Sequence, residues 1–300
     1  SVGDSVGESV SNADAPYRNP AISAEARTAD LLARMTLVEK IGQMCQYVGI
    51  EHIKKSEKNQ SLEDMQAGDA QGVYPNLHSS KIPELIARGE IGSFLHVKNP
   101  SEANQLQAWA SESRLSIPLL IGIDAIHGNG LVRGTTTYPT PLTMASSWNL
   151  DLVRQANVET AREVRANGAQ WAFAPNVDIA RDARWGRVGE TFGEDTHLVT
   201  EMGLAVIAGL QQGDFRGNEK VLATAKHFVA GGDPVNGLNL SPMDVPLRSL
   251  RQDFFPPFEK AVQAGVFTFM AAHNEINGVP AHANRFLFTD VLRKEWGFEG

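Results

Sequence analysis

The feature of this sequence that most constrains its fold is a regular alternation between helical segments and short, uninterrupted apolar runs. The runs that have the length of a strand cover residues 91–97, 119–123, 171–174, 221–225 and 266–271. They lack the alternation of apolar and polar residues that is typical of a half-exposed strand. They therefore indicate strands covered on both faces, as in a parallel sheet.

Helical periodicity separates these runs. The predicted helices cover residues 151–167, 196–212, 247–264 and 284–295, and each is followed within two residues by a glycine. A glycine at this position commonly ends a helix, because it adopts the left-handed backbone conformation without steric cost. An earlier helix is predicted at Thr36-Leu-Val-Glu39, which has the spacing of a capping box.

Strands and helices in alternation predict an α/β fold, for which the standard closures are a (β/α)8 barrel and an open doubly wound sheet. We expect a TIM-like (β/α)8 barrel, since no glycine-rich phosphate loop follows any of the runs. The sequence provides five or six strands where the barrel needs eight. The barrel is therefore expected to be incomplete in this 300-residue chain.

Composition limits the class of partner. The sequence is 42% hydrophobic and 21% charged, as in an ordinary globular protein, and its formal net charge of -8 opposes the basic surface that a nucleic-acid binder needs. No apolar run approaches the roughly 18 residues that span a bilayer. We expect neither a nucleic acid nor a membrane as partner.

Residues 1–20 are rich in serine, glycine and acidic residues and have no apolar periodicity, so they predict a flexible leader before a domain at 21–300. The chain starts at Ser1 rather than at methionine, as it would after removal of a signal peptide. We therefore expect a periplasmic or secreted protein. The single cysteine, Cys45, cannot form an intrachain disulfide and gives no evidence on the compartment.

Polar residues that could act on a substrate follow the apolar runs, which in a barrel brings them together at the carboxyl ends of the strands. These polar clusters cover residues 122–128, 174–195, 225–228 and 269–278. None of them has an ordinary metal-ligand spacing or the turn of a serine nucleophile. The sequence therefore predicts no metal site.

Five short motifs stand in these clusters. In chain order they are Asp124-Ala-Ile-His-Gly, Arg184-Trp-Gly-Arg187, Gly193-Glu-Asp195, Lys226-His-Phe228 and Asn277-Gly-Val-Pro280. With all five in register, residues 31–300 resemble the first domain of family 3 glycoside hydrolases. The resemblance implies the hydrolysis of terminal, non-reducing β-linked sugars, most often β-D-glucose, with retention of configuration and without a cofactor.

The resemblance also implies which residues bind the sugar. Asp124 would accept hydrogen bonds from hydroxyls at the non-reducing end, Arg187 and Lys226 would donate to the same end, and His227 would donate nearer the reaction centre. Met270 would supply an apolar wall. Charged groups suit this task, because their hydrogen bonds are roughly twice as strong as those between neutral groups.

Lys226 and His227 are adjacent in the sequence, yet neighbours on a regular strand point to opposite faces. We therefore hypothesise an irregular backbone at this strand end, such as a cis peptide bond before a residue other than proline.

His273 stands where an aromatic residue such as tyrosine is common in the family, and it is included as a candidate substrate-binding residue. It could hydrogen-bond to the nucleophile, or it could be a core histidine whose hydrogen bonds are satisfied.

Arg184, His127 and Glu194 are interpreted as structural. The segment 230–236 lacks the His-Asp pair of the N-acetylglucosaminidase branch, which argues against an amino-sugar substrate.

The catalytic carboxylates are not identifiable in the sequence. A retaining glycosidase needs two carboxyl groups roughly 5 to 5.5 Å apart. The resemblance implies a nucleophilic aspartate in a Ser-Asp-Trp motif on the next strand, beyond Gly300, and an acid/base residue that usually comes from a following C-terminal domain. We expect this chain to end before the nucleophile strand.

Other functions remain open at this point. A β-xylosidase of the same family differs only in contacts that the sequence does not locate. A Schiff-base lyase or aldolase could use Lys226 as its nucleophile if the lysine were neutral, although the acidic neighbourhood would keep it charged. A sugar-binding protein without catalysis is a further alternative.

Overall fold

The structure, a computed structural model, describes residues 14–58, 77–213 and 217–300. They form two compact units. The first comprises the described residues up to Phe94 together with Asn104–Leu119, and the second comprises Leu95–Ala103 and Leu120–Gly300. Every site residue predicted from the sequence belongs to the second unit.

The first unit contains strand β1 (Gln46–Val48) and the beginning of β2 (Ser93–Leu95). Its helices are Ala24–Arg34, Leu37–Gln43, Ile50–Lys58 and Ile82–Ala87. The predicted capping box is confirmed, since the Thr36 side chain accepts from the backbone N–H of Glu39 and the Glu39 side chain accepts from the backbone N–H of Thr36. The sequence did not reveal β1, which is three residues long and has one buried residue.

Residues 1–13 of the predicted leader lie outside the described residues. The remainder includes a 3-10 turn, Pro16–Arg18, and Tyr17 is buried there in a small apolar cluster. The Tyr17 hydroxyl donates to the backbone carbonyl of Leu115 at 2.9 Å. The packed chain therefore begins before residue 21, where the domain boundary was predicted.

The second unit carries strands β3 (Leu120–Ile123), β4 (Trp171–Ala172), β5 (Leu222–Phe228) and β6 (Thr268–Ala271). They are neighbours in that order, and each pair is parallel. The backbone N–H of His96, directly after β2, donates to the carbonyl of Gly122 in β3 at 2.8 Å. Each of the five predicted apolar runs overlaps a strand, and β5 extends three residues past its run, so the expected order of parallel strands is confirmed.

The helices that accompany these strands are Pro100–Ser111, Pro141–Ala145, Leu150–Ala166, Thr196–Gln211, Leu247–Ser249 and Pro256–Gln263, with a π-helix at Phe286–Glu295. The helix-ending glycines are confirmed, because Gly168, Gly213, Gly265 and Gly297 all have positive φ. None of the helices in the described residues is long and apolar enough to cross a membrane.

The segment 247–264 is not the single helix that was predicted. A π-helical segment, Leu250–Phe254, interrupts it before Pro256 and Pro257. Prolines lack the N–H that would continue the backbone hydrogen bonds of the helix. The carbonyl of Asp253 instead accepts from the Thr196 hydroxyl at 3.0 Å.

Packing fixes the end of β5. Phe228 is fully buried, and its ring contacts those of Phe255, Phe258, Phe269, Phe288 and Trp296. The preceding residues, Lys226 and His227, belong to a polar cluster at the carboxyl ends of the strands. A short hairpin, β7 (Glu275–Ile276) and β8 (Val279–Pro280), follows β6.

Candidate active site

Asp124, Lys226 and His96 form one half of the polar cluster. Asp124 follows β3, and its carboxylate accepts from Lys226 Nζ at 2.6 Å and contacts His96 Nε2 at 2.9 Å. Lys226 is 2% exposed, whereas a third of the Asp124 side chain (33%) is open to solvent. The carboxylate therefore faces outward from a buried ammonium group and a buried imidazole.

Asp124 remains ionised in this setting. Burial alone would raise its pKa, but the hydrogen bond from His96 and the charge of Lys226 outweigh burial and hold the pKa well below its ordinary value. An ionised carboxylate is the form that accepts hydrogen bonds from hydroxyl groups.

Arg187, His227 and their partners form the other half. Arg187 lies in the loop after β4, and its guanidinium makes two hydrogen bonds to the Glu190 carboxylate, at 2.9 and 2.7 Å. It also lies 3.2 Å from His227 Nε2. Burial would raise the pKa of Glu190, yet the hydrogen bond from Arg187 keeps it below its ordinary value. Both Arg187 and Glu190 are thus charged.

Asp178 determines the tautomer of His227. Its carboxylate, which is fully buried, lies 2.8 Å from His227 Nδ1, and a carboxylate can only accept, so Nδ1 carries a proton. The guanidinium of Arg187 can only donate, so Nε2 accepts. For His227 to donate to a sugar through Nε2, Arg187 must turn away from this nitrogen and Nε2 must take up a proton, because the proton on Nδ1 is the only one that a neutral imidazole carries.

The backbone hypothesis for β5 is confirmed. The peptide bond between Lys226 and His227 is cis, although His227 is not a proline, and that between Phe228 and Val229 is cis as well. Lys226 contacts Asp124, and His227 contacts Arg187 and Asp178, within one polar cluster.

Met270 was predicted to supply the apolar wall of the sugar site. Met270 is half-buried on β6, the strand beside β5.

His273 follows β6 and is exposed, so its interpretation as a core histidine is wrong. Partial burial lowers the pKa of His273, and its neighbours His282, His227 and Arg187 lower it further. His273 follows β6, the strand beside β5, which carries Lys226 and His227.

Sequence analysis missed His96, the partner of Asp124. The signal was a histidine near the end of the first apolar run, at the same strand end that carries the other polar residues. Asp178 and Glu190 lie in the polar cluster 174–195 that the sequence predicted, but no role in binding was predicted for them. Arg184 has the structural role expected, since it pairs with Asp182 at 2.6 Å on the surface.

Chemically, this site offers an ionised carboxylate, a buried ammonium group, a guanidinium group and an imidazole at one edge of the sheet. Such a set matches a polyhydroxylated ligand better than a metal ion. In the part of the chain that the structure describes, no three histidine, cysteine or acidic side chains are grouped to hold a metal.

Comparison with known proteins places this geometry in a family. The glycosyl hydrolase family 3 N-terminal domain matches residues 36–300. The chain belongs to glycosyl hydrolase family 3. A periplasmic beta-glucosidase of Salmonella typhimurium is 34% identical over 99% of this chain and 36% of its own length. A beta-xylosidase of Formosa agariphila is 44% identical over 66% of this chain and 28% of its own length.

Solved structures of family 3 enzymes have the same fold. The crystal structure of a beta-glucosidase from Listeria innocua in complex with isofagomine is 33% identical, with a TM-score of 0.76 over 93% of this chain and 36% of that one. A beta-glucosidase involved in saponin metabolism from intestinal bacteria is 38% identical, with a TM-score of 0.75 over 91% of this chain. The fold is thus the partial (β/α)8 barrel of the family 3 N-terminal domain. The chain spans about a third of the length of these relatives.

Family membership and geometry together leave little support for the Schiff-base alternative. Imine formation needs a neutral amine. Lys226 Nζ instead donates to the ionised carboxylate of Asp124 at 2.6 Å, so this nitrogen is engaged in an ion pair.

Proposed function

We propose that this chain is the sugar-binding part of a retaining, exo-acting β-glucosidase that releases terminal non-reducing β-D-glucose from β-glucosides or β-glucan oligosaccharides. The observation that carries the proposal is the joint cluster at the strand ends, in which Asp124 faces Lys226 and Arg187 faces His227. A glucose unit is a ring of hydroxyls, and this cluster supplies charged donors and acceptors on one side of it.

Each residue has a proposed task. Asp124 accepts from hydroxyls at the non-reducing end, and Lys226 and Arg187 donate to the same end. His227 donates nearer the anomeric carbon once Arg187 has turned to the sugar and His227 Nε2 has taken up a proton. Hydrogen bonds to the 2-hydroxyl that tighten in the transition state contribute several kcal/mol in glycosidases, so holding the ring is part of catalysis.

The carboxylates of this cluster are all engaged, which supports a nucleophile outside the chain. Asp124 binds Lys226, Asp178 binds His227, and Glu190 binds Arg187. We therefore propose that the nucleophilic aspartate lies beyond Gly300 and that the acid/base residue comes from a following C-terminal domain. Relatives named periplasmic beta-glucosidases support a periplasmic or secreted location.

The experiment uses the complete protein that carries this chain. Its kcat/KM should be higher for an aryl β-glucoside than for the aryl β-xyloside, and a 2-deoxy-2-fluoro-glucoside should label an aspartate beyond Gly300. Label on Asp124, Asp178 or another residue of this chain would refute the assignment of the nucleophile. Absence of hydrolysis despite sugar binding would favour a sugar-binding protein without catalysis.

A β-xylosidase is the second candidate. It is favoured by the 44% identity to the Formosa agariphila beta-xylosidase over 206 residues. Xylose lacks only the hydroxymethyl group of glucose, a difference that changes binding by about 1 to 3 kcal/mol per group. A higher kcat/KM for the aryl β-xyloside would select this alternative.

A further inference from the structure

A hairpin holds two histidines against each other beside the sugar-binding cluster. Strands β7 and β8 pair antiparallel, and the connecting Asn277 and Gly278 have φ values of 51° and 80°. Positive φ at both positions is typical of the tight two-residue turns that match the twist of a hairpin. The segments that enter and leave this hairpin are therefore fixed relative to each other.

His273 and His282 stand on these two segments. The backbone N–H of Ala281 donates to the carbonyl of Asn274 at 3.1 Å, and these residues are the immediate neighbours of the two histidines. Asn274 is itself buried, at 3% exposure. The backbone thus sets the two imidazoles side by side, while both side chains remain exposed to solvent.

The distance between the rings fits a shared ligand. His273 Nδ1 and His282 Nε2 are 3.2 Å apart, and the ring centroids are 5.2 Å apart. Two nitrogens that each lie about 2.0 to 2.1 Å from one tetrahedral ion are roughly 3.3 Å apart. In the structure this contact is a hydrogen bond, so the nitrogens already have the spacing of a chelate, and both rings must turn until their lone pairs face the same ion.

We propose that His273 and His282 form a chelating site for a divalent transition-metal ion such as Zn²⁺. Imidazole nitrogen suits zinc, copper and nickel, whereas calcium and magnesium prefer oxygen ligands. Since no third histidine, cysteine or acidic side chain joins the pair among the described residues, water completes the coordination. With only two protein ligands, the bound ion is expected to exchange with ions in solution.

The surroundings connect this site to the sugar cluster. His273 follows β6, and the neighbouring strand β5 carries Lys226 and His227; Glu190 offsets the charge of Arg187 through its ion pair. A bound divalent ion would add positive charge at the edge of the cluster and compete with Arg187 for the negative groups there. This consequence rests on the proposed function, and it predicts that the ion weakens sugar binding.

The first experiment measures Zn²⁺ binding to the complete protein by isothermal titration calorimetry, with the metal alone as ligand. Wild type should bind one equivalent through the pair. His273→Asn, His282→Asn and His282→Gln should each weaken that binding by at least about tenfold, as loss of a direct ligand costs no less than loss of an outer-shell partner. The double variant should bind Zn²⁺ about as weakly as each single variant does, because either change already destroys the chelate.

The matched control is His197→Asn, which removes an exposed histidine near the start of helix Thr196–Gln211. It should bind Zn²⁺ as wild type does. Far-UV circular dichroism checks that each variant is folded. The proposal is overturned if wild type binds no stoichiometric Zn²⁺, if folded His282 variants bind it unchanged, or if each single variant removes only a separate weak site.

A second measurement tests the consequence for the sugar. Zn²⁺ should raise KM for the aryl β-glucoside in wild type and have a much smaller effect in His282→Asn. An unchanged KM at saturating Zn²⁺ would overturn the link to sugar binding. If the protein hydrolyses no glycoside, the calorimetric result still decides the metal site, so the two failures are distinguishable.

Discussion

Replacement of Asp124 by asparagine removes the charge that faces a buried lysine while it preserves the shape of the side chain. Breaking a buried ion pair typically costs about 3 to 5 kcal/mol, because an ammonium group stays behind in a poorly solvated place. Lys226 is 2% exposed, but a third of the Asp124 side chain is open to water, which can partly replace the carboxylate. We therefore expect the free energy of unfolding to fall by roughly 2 kcal/mol.

The assay is urea unfolding followed by tryptophan fluorescence and circular dichroism at pH 7. The control is Asp182→Asn, since Asp182 pairs with Arg184 at the same distance of 2.6 Å but Arg184 is 69% exposed. Exposed pairs contribute little, so this variant should unfold close to wild type. An equal fall in the free energy of unfolding in both variants, or no fall in Asp124→Asn, would refute the argument from burial.

The pH dependence of the free energy of unfolding gives an independent check that the ionised form of Asp124 stabilises the fold. The pKa of Asp124 is lowered in the folded protein, so its contribution is present above the ordinary value, about 3.9, and is lost as the pH falls towards the folded value. The difference between wild type and Asp124→Asn should therefore be constant from pH 7 to about 5 and shrink below about 4. A difference that grows on acidification would contradict this assignment.

Two further substitutions test the cluster and the sheet. Glu190→Gln should lower kcat/KM for an aryl β-glucoside by roughly tenfold, because a hydrogen bond to a charged group contributes about 1.5 kcal/mol or more and Arg187 loses its ionic partner. Glu194→Gln changes an exposed residue nearby and should leave kcat/KM unchanged. Gly122→Ala should lower the free energy of unfolding by about 1 to 3 kcal/mol, since its Cβ would lie 2.3 Å from the buried ring of Phe173, whereas Gly186→Ala meets no atom within 4 Å and should unfold like wild type.

The sequence by itself determined the parts of this protein that depend on local pattern. Uninterrupted apolar runs predicted the strands, and glycines predicted the helix ends, because burial on both faces and positive φ each restrict residue type. The same pattern located Asp124, Lys226 and His227 at the carboxyl ends of strands, where parallel βα topology brings loops together. Five motifs in order were specific enough to indicate the family.

The tertiary structure alone decided which groups meet. Asp124 pairs with Lys226 from 102 positions away and with His96 from 28 positions away, and Arg187 reaches His227 across 40 positions. The hairpin that brings His273 to His282 and the interruption of the helix at Leu250–Phe254 also escaped the pattern. Hydrophobic periodicity records which face of an element is buried. It does not record loop paths or the backbone geometry at a strand end, and these set the distances on which hydrogen bonds and ion pairs depend.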